Sequence, residues 1–306
     1  MTPRAESGGA STVLVTGASG FTGAALLDRL RSDGYNVLGL SRTGPDLRVD
    51  LCDAAAVRSA MASAAPDMVV HLGGLTFAAH PTPSDFYHAN VAGAVNLLEA
   101  LRAAPVQPRV VILASSATVY APELSGVPIT ENHTLGPQNH YGMSKLAMEQ
   151  AAALYASDLP LKIVRSFNYT GPGQASNFLV PKLVEHYASG ANTIRLGNLD
   201  LDRDISSLDD TIEAYVRLLR KAEPGRPVNL CSGETVRLRA LLNMLSAISG
   251  RELTIETDPA LIRRNEPEVI VGSRAKLDSE IGAWPRQSLS TTLKAMYDAA
   301  AEKAQR

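Results

Sequence analysis

Three glycines separate an apolar, β-prone run from a helical pattern close to the N-terminus. Residues 11–16 read Ser-Thr-Val-Leu-Val-Thr, and a Gly-x-x-Gly-x-x-Gly repeat then leads into 24–30, whose leucines recur at helical spacing. A strand, a glycine turn and a helix in this order let the backbone approach a pyrophosphate, which the free N–H groups of the new helix hold. The alternative is a turn in which the glycines only bring strand and helix together. We favour a nucleotide site, formed by Gly17, Ser19, Gly20, Phe21, Thr22 and Gly23.

The second apolar run ends in a serine and an arginine. It spans 36–40 and is followed by Ser41 and Arg42. Sheets that bind NAD usually carry Asp or Glu at this place for the ribose 2′-hydroxyl, whereas an arginine accommodates the 2′-phosphate of NADP. The pair therefore favours NADP. NAD is the alternative, with Arg42 as a solvated loop charge.

Apolar runs and helical patterns keep alternating through residue 167. Strands of this kind, separated by helices, predict an α/β fold with a doubly wound (Rossmann) parallel sheet. The remaining predicted strands are 49–53, 67–74, 109–116 and 161–165, and the predicted helices include 53–64 and 85–101. The polar, Gly/Ser-rich residues 1–10 are predicted to be a disordered tail, which leaves 11–167 as an NAD(P)-binding domain. His71 lies inside an apolar run and is predicted to be a core histidine.

The strict alternation loosens after residue 168. We expect residues 168–306 to form mainly a smaller α/β lobe that binds the substrate, with segments at about 205–232 returning to the main sheet. The predicted helices are 177–188, 210–221, 238–248 and 289–301, and the predicted strands are 193–196, 228–231, 252–256 and 269–271. Ligands of a parallel sheet bind beyond the carboxyl ends of its strands, so the lobe is expected to cover that edge.

A tyrosine and a lysine stand four residues apart at the start of a helical pattern. Tyr141 and Lys145 share one helix face, with Cβ atoms about 5–6 Å apart. An ammonium beside a phenol favours the tyrosinate, so we expect a pKa for Tyr141 below its ordinary value near 10. Such a phenol can exchange a proton with a substrate oxygen. The spacing alone is common by chance in amphipathic helices.

Composition and charge exclude several classes of function. The net charge is −2 with no basic run, which argues against nucleic acid or an acidic membrane surface as a partner. Cys52 and Cys231 lie far apart and away from clustered histidines, so we predict neither a metal site nor a disulfide and expect a reducing cytoplasm. No apolar stretch reaches about 18 residues, so no membrane span is predicted.

Several motifs taken together resemble the extended short-chain dehydrogenase/reductase family, whose members act mostly on nucleotide sugars. They are Gly17-x-x-Gly20-Phe21-Thr22-Gly23, Ser115-Ser116-Ala117-Thr118-Val119-Tyr120, Tyr141-x-x-x-Lys145 and Asn168-Tyr169-Thr170-Gly171-Pro172-Gly173-Gln174. The last motif, with Gly197–Asp204, looks like the branch of GDP-mannose 4,6-dehydratases and GDP-4-keto-6-deoxymannose reductases. Asp258-Pro259 and Arg263-x-x-Glu266 look closer to the reductases.

The resemblance implies roles for individual residues. Tyr141 would be the general acid/base, Lys145 would hold the nicotinamide ribose, and Ser116 would bond the reacting sugar oxygen. Further implied or predicted cofactor contacts, besides the glycine turn, are Ser41, Arg42, Asp50, Leu51, Leu72, Gly73, Gly74 and Asn90. Implied substrate contacts are Thr118, Asn168, Lys182, Arg203 and Arg263. A homodimer is implied as well.

The chain departs from the family pattern at three places. The dehydratases place a glutamate where this chain has Thr118, and a threonine cannot act as the carboxylate base of an elimination. Phe-Thr-Asp is common where this chain has 205–207, Ile-Ser-Ser, and alanines are common where it has Gly73 and Gly74. We therefore expect NADPH-dependent reduction of the C4 keto group of a nucleotide-activated 4-keto-6-deoxy sugar. The alternatives are an NAD-dependent 4-epimerase, a 4,6-dehydratase and a non-catalytic NADP-binding protein.

Overall fold

The computed structural model describes residues 11–44, 46–76, 82–262 and 267–304. The predicted tail at 1–10 and the predicted substrate contact Arg263 lie outside the described residues. The first half contains, in order, β1 (Thr12–Thr16), α1 (Phe21–Ser32), β2 (Asn36–Ser41), β3 (Leu47–Arg48), α2 (Ala54–Ala64), β4 (Met68–His71), α3 (Pro83–Tyr87), a π-helical turn (His88–Ala92), α4 (Gly93–Ala103), β5 (Val110–Ser116), a 3-10 turn (Ala117–Val119), α5 (His140–Ala153) and β6 (Leu161–Ser166).

The second half mixes short strands with longer helices. It contains β7 (Asn168–Thr170), α6 (Leu179–Ala188), β8 (Thr193–Leu196), β9 (Asp202–Ser207), α7 (Leu208–Lys221), β10 (Gly225–Leu230), β11 (Thr235–Arg237), α8 (Leu238–Ser249), β12 (Thr254–Thr257), a 3-10 turn (Pro259–Leu261), β13 (Val269–Ile270), α9 (Ala275–Ile281) and α10 (Leu289–Ala304). No helix among the described residues is long and apolar enough to cross a membrane.

A parallel sheet of seven described strands forms the centre, in the order β10-β6-β5-β4-β1-β2-β3. The order reverses direction at β1, which pairs with β2 on one side and β4 on the other. Parallel strands need helical crossovers, so all the carboxyl ends point to one edge and the helices cover both faces. This confirms the predicted doubly wound α/β fold and places the ends of β1 and β4 at the switch point.

Alternate residues of each strand supply the two core layers. In β1, Val13 and Val15 face α1, α7 and α9, whereas Leu14 faces α2, α4 and α5. All three side chains are fully buried, as expected for a strand covered on both faces. A third apolar cluster, formed by α6, α8 and α10, fills the smaller lobe.

The lobe contains two small sheets that are separate from the central sheet. The strands β11, β9 and β13 form one, with β7 paired to β9, and β12 pairs with β8 in the other. The strand β10 instead extends the central sheet beside β6.

Several predicted boundaries were wrong. The third strand is Leu47–Arg48 and not 49–53, because the Asp50 carboxylate accepts the Cys52 N–H (2.9 Å) and turns the chain. The Asp53 side chain then caps α2, accepting from the N–H groups of Ala55 and Ala56. The helix predicted over 85–101 is confirmed as a continuous helical run over 83–103, with a π-helical turn at His88–Ala92 that inserts one extra residue. The strands β7 and β11 and the helix α9 were missed because they are short. The strand β9 was missed because its sequence, Asp-Arg-Asp-Ile-Ser-Ser, is mostly polar.

Candidate active site

The glycine turn follows β1 and packs directly against the end of β4. Gly17 has φ +70°, and a Cβ there would lie 2.8 Å from the backbone of Leu72 and Gly73. A Cβ on Gly23 would lie 2.1 Å from the Gly17 carbonyl oxygen. Both positions therefore require glycine. The first N–H groups of α1 lie at the carboxyl edge of the sheet. Such a cradle fits a pyrophosphate.

A threonine and a histidine fix the ends of β1 and β4 to each other. Thr16 Oγ1 accepts the Gly73 N–H (3.0 Å) and hydrogen-bonds His71 Nδ1 (2.8 Å). Burial, and secondarily the charge of Lys145, lower the pKa of His71 to about 3, so the ring is neutral at physiological pH. The prediction of a core histidine is confirmed.

Asn90, in the π-helical turn, is tied to the loop that follows β4. Its Oδ1 accepts the Leu75 N–H (2.7 Å), and its Nδ2 donates to the Leu75 carbonyl (3.2 Å) and to Ser144 Oγ (2.9 Å). A Cβ on Gly74 (φ +150°) would lie 2.4 Å from Asn90 Oδ1. The described contacts of Asn90 thus hold the loop against α5.

The end of β2 contains a buried hydroxyl with an unsatisfied hydrogen-bonding capacity. Ser41 Oγ is buried and has no hydrogen-bond partner within the described part of the chain. Arg42 beside it is exposed, and a Cβ on Gly44 would lie 2.5 Å from Ser41 Oγ. A buried hydroxyl without a partner costs free energy, so it points to a group from outside the chain. Together with the glycine cradle, it fits a dinucleotide that has a phosphate on its adenosine ribose.

The hydroxyls of Ser116 and Tyr141 meet where β5 ends and α5 begins. The Ser116 hydroxyl acts on the Tyr141 phenol and lowers its pKa. Ser116 Oγ also accepts the N–H (3.2 Å) and the Oγ1–H (2.9 Å) of Thr118. With its lone pairs engaged by Thr118, Ser116 is left to donate its own proton towards the phenol or a ligand oxygen. Asn139 caps α5, accepting the Gly142 N–H (2.9 Å), and so fixes where the first turn places Tyr141.

The predicted lowering of the Tyr141 pKa was wrong for this structure. Desolvation raises the pKa of Tyr141 to about 12, against a smaller lowering by the Ser116 side chain. Burial lowers the pKa of Lys145 to about 8, although the charge of Glu149 raises it. Lys145 Nζ donates to the Ala114 carbonyl (2.8 Å). Sequence spacing gives the shared helix face but not the burial, and burial is the larger effect here.

A buried ion pair behind Lys145 was missed from the sequence. Glu149, one turn further along α5, pairs with Arg165 of β6 (2.7 Å) and accepts from Ser115 Oγ (2.5 Å). Arg165 also donates to the Tyr120 hydroxyl (3.1 Å). The pair ties the helix that holds Tyr141 to β6, and the bond from Ser115 ties it to β5, the strand that ends at Ser116. The available signal was a glutamate four residues after the lysine.

The predicted substrate contacts of the lobe have partners within the protein. Asn168 is exposed and donates to the Asp204 carbonyl (3.3 Å), and Lys182 Nζ donates to the Arg195 carbonyl (3.4 Å). Arg203 is 9% exposed and donates to the carbonyls of Asp202 (2.9 Å) and Glu268 (3.1 Å).

A parallel sheet with a glycine cradle after β1 and a Ser-Tyr-Lys set at β5 and α5 defines an NAD(P)-dependent oxidoreductase of the short-chain dehydrogenase/reductase type. The model of the NAD dependent epimerase/dehydratase family matches residues 13–231. The chain belongs to that family.

Within the family, the chain is similar to two curated relatives and to a solved structure. The chain is 33% identical over 287 residues to a GDP-6-deoxy-D-talose 4-dehydrogenase of Aggregatibacter actinomycetemcomitans, covering 93% of this chain and 96% of the relative. It is 32% identical over 240 residues to a GDP-6-deoxy-D-mannose reductase of Pseudomonas aeruginosa, covering 76% and 79%. The structure of RMD from Pseudomonas aeruginosa complexed with NADPH matches with a TM-score of 0.87 and 30% identity, covering 96% and 98%.

Proposed function

We propose that this enzyme reduces the C4 keto group of a nucleotide-activated 4-keto-6-deoxy sugar, with a GDP-sugar as the favoured substrate and NADPH as the reductant. The observation that carries the proposal is the state of Tyr141. With a pKa of about 12, the phenol is protonated at neutral pH and can donate, and Ser116 lies close enough to act on it. Thr118 stands where elimination would need a carboxylate. The names of the two relatives support a GDP-sugar and redox chemistry at C4.

The side chains divide the chemistry between them. NADPH bound in the glycine cradle supplies the hydride. Tyr141 donates its proton to the oxygen that develops negative charge, and Ser116 donates a hydrogen bond to the same oxygen. Lys145 keeps a positive charge below its pKa of about 8 and stabilises the tyrosinate left after proton transfer. The Thr118 hydroxyl keeps Ser116 in its donating orientation.

A substrate panel tests the proposal. The purified protein is incubated with GDP-, dTDP- and UDP-4-keto-6-deoxy sugars and with NADPH or NADH, and both nucleotide oxidation and product stereochemistry are followed. We expect stoichiometric NADPH oxidation with the GDP-sugar. A protein that purifies with bound NAD and interconverts sugars without added cofactor would be a 4-epimerase. Dinucleotide binding without turnover of any sugar would indicate a non-catalytic protein.

Arg42 is expected to set the preference for NADPH. Arg42→Ala should weaken NADPH binding roughly ten-fold and leave NADH binding unchanged, because a charge-assisted bond to the 2′-phosphate is lost. Fluorescence titration with NADPH and with NADH measures the ratio of the two affinities. Arg58→Ala, which removes an exposed arginine from α2, is the matched control and should change neither affinity. Equal weakening of both nucleotides by Arg42→Ala would argue against a 2′-phosphate contact.

The reduction should slow as pH rises through about 8, where Lys145 loses its proton. The ammonium is the form that stabilises the tyrosinate, and it predominates below that pKa, so kcat/KM should be level at neutral pH and decline above it. A pH profile of kcat/KM measures this limb. Lys145→Met should give a low kcat/KM that no longer declines through this pH range. A rate of reduction that increased through the same range would contradict the assignment of Lys145.

We further propose that the enzyme is a homodimer that pairs through α5. Two large apolar side chains are exposed here, Met143 in the helix (46% exposed) and Leu154 at its C-cap (79% exposed). Light scattering should give twice the chain mass of 32.4 kDa. Leu154→Arg should shift the population towards the monomer, since a charge would then have to be buried at the interface. A monomeric wild-type protein would contradict this proposal.

A further inference from the structure

Tyr169 of β7 contacts the start of α1. Its ring stacks on Phe21, with centroids 6.2 Å apart and planes inclined by 8°. Its hydroxyl hydrogen-bonds Thr22 Oγ1 (2.8 Å). Phe21 and Thr22 are the first two residues of α1, so one side chain from β7 contacts both.

The first turn of α1 packs through Gly23 against Gly17, but its N-terminus has no side-chain cap among the described residues. The N-cap residue is Gly20. Capping by a Ser, Thr, Asp or Asn side chain normally stabilises the first turn, whose free N–H groups are otherwise left to water or a ligand. The stack on Phe21 and the hydrogen bond between the Tyr169 and Thr22 hydroxyls give this uncapped turn two side-chain contacts.

Tyr169 also lies beside the reacting phenol. Its phenol acts electrostatically on Tyr141 and on Tyr215 of α7. The same residue therefore contacts the cofactor cradle and neighbours the proton donor.

We propose that Tyr169 is a positioning residue that holds the first turn of α1 in its ligand-binding geometry, at a fixed place relative to the Tyr141 hydroxyl. Groups that are locked by packing before a ligand arrives lose less entropy when it binds. The effect should therefore appear in dinucleotide affinity more than in turnover at saturation. The inference rests on the proposed function only in assuming that the cradle binds a nicotinamide dinucleotide.

A double-mutant cycle tests the hydrogen bond between the two hydroxyls. Tyr169→Phe keeps the stacked ring and removes only the hydroxyl, and Thr22→Val removes the other partner. Each single change should weaken NADPH binding about five-fold, measured by nicotinamide fluorescence without any sugar present. The double variant should be no weaker than either single variant, because both changes remove the same contact. KM for NADPH should rise by the same factor, and kcat should stay nearly constant.

Two further variants separate positioning from general stability. Tyr169→Leu removes the stack as well and should weaken NADPH binding beyond Tyr169→Phe. Tyr35→Phe is the matched control, because this tyrosine's hydroxyl bonds the exposed Arg220 and its loss should leave NADPH affinity unchanged.

Three results would overturn the proposal. Unchanged NADPH affinity in Tyr169→Phe with a lower melting temperature would leave Tyr169 a purely structural role. Additive effects in the double variant would show that the two hydroxyls act separately. A wild-type protein that bound neither NADPH nor NADH would overturn this inference and the proposed function together, whereas binding without sugar turnover would overturn the proposed function alone.

Discussion

Tyr141→Phe is expected to lower kcat for ketone reduction by about 10²–10⁴-fold. The change removes only the hydroxyl that donates the proton. The ring should keep its edge-on contact with Phe86, whose centroid lies 6.0 Å away. NADPH affinity should therefore change little, and the loss should appear in kcat and kcat/KM together, as for an interaction made in the transition state. Steady-state kinetics and a fluorescence titration on the same preparation give both values.

A neighbouring phenol provides the control for this variant. Tyr87 bonds His140 Nδ1 (3.1 Å), one residue before Tyr141, yet has no place in the proposed proton transfer. Tyr87→Phe should keep nearly full turnover. Ser116→Ala should lower turnover much less in the Tyr141→Phe background than in the wild type, because both hydroxyls act on one substrate oxygen. Wild-type turnover in Tyr141→Phe would remove the assignment of this residue as the acid.

The parts of the fold that follow from local sequence rules were predictable. A β-prone run, three glycines and a helical pattern specify a strand, turn and helix because few other structures accept those residues. Once the sheet is parallel, topology alone brings the residues after β1, β4 and β5 to one edge. That is why Gly17, Gly73 and Ser116 could be expected near each other without any knowledge of side-chain contacts.

What could not be predicted depends on burial and on partners distant in sequence. The spacing of Tyr141 and Lys145 gives their shared face, but the raised pKa of the phenol comes from the elements packed around it. The resemblance implied Arg203 as a substrate contact, but it gave no sign that the guanidinium also donates to the backbone carbonyls of Asp202 and Glu268. Tyr169 stood inside a quoted motif, yet its contact with Thr22 joins residues 147 positions apart.

Breaking the buried ion pair behind the active site should have the largest effect on stability. Glu149 and Arg165 have side chains only 4% and 5% exposed, and their closest oxygen–nitrogen distance is 2.7 Å. Glu149→Gln would leave the guanidinium in a buried site without a counter-charge, which typically costs about 3–5 kcal/mol in the free energy of unfolding. Urea unfolding measures this loss, with the exposed Lys294–Asp298 pair as the reference, where removal should cost at most about 0.5 kcal/mol.

The same substitution has a second consequence for the chemistry. The charge of Glu149 raises the pKa of Lys145, against the larger lowering by burial. Without that carboxylate the pKa of Lys145 falls further, so the decline of kcat/KM should move to lower pH in Glu149→Gln. Glu149→Asp, which keeps the charge on a shorter side chain, should lose stability but move the decline less. A pH profile that stayed in place while stability fell would show that the pair supports the fold alone. A profile that moved would show that it also keeps Lys145 charged at neutral pH.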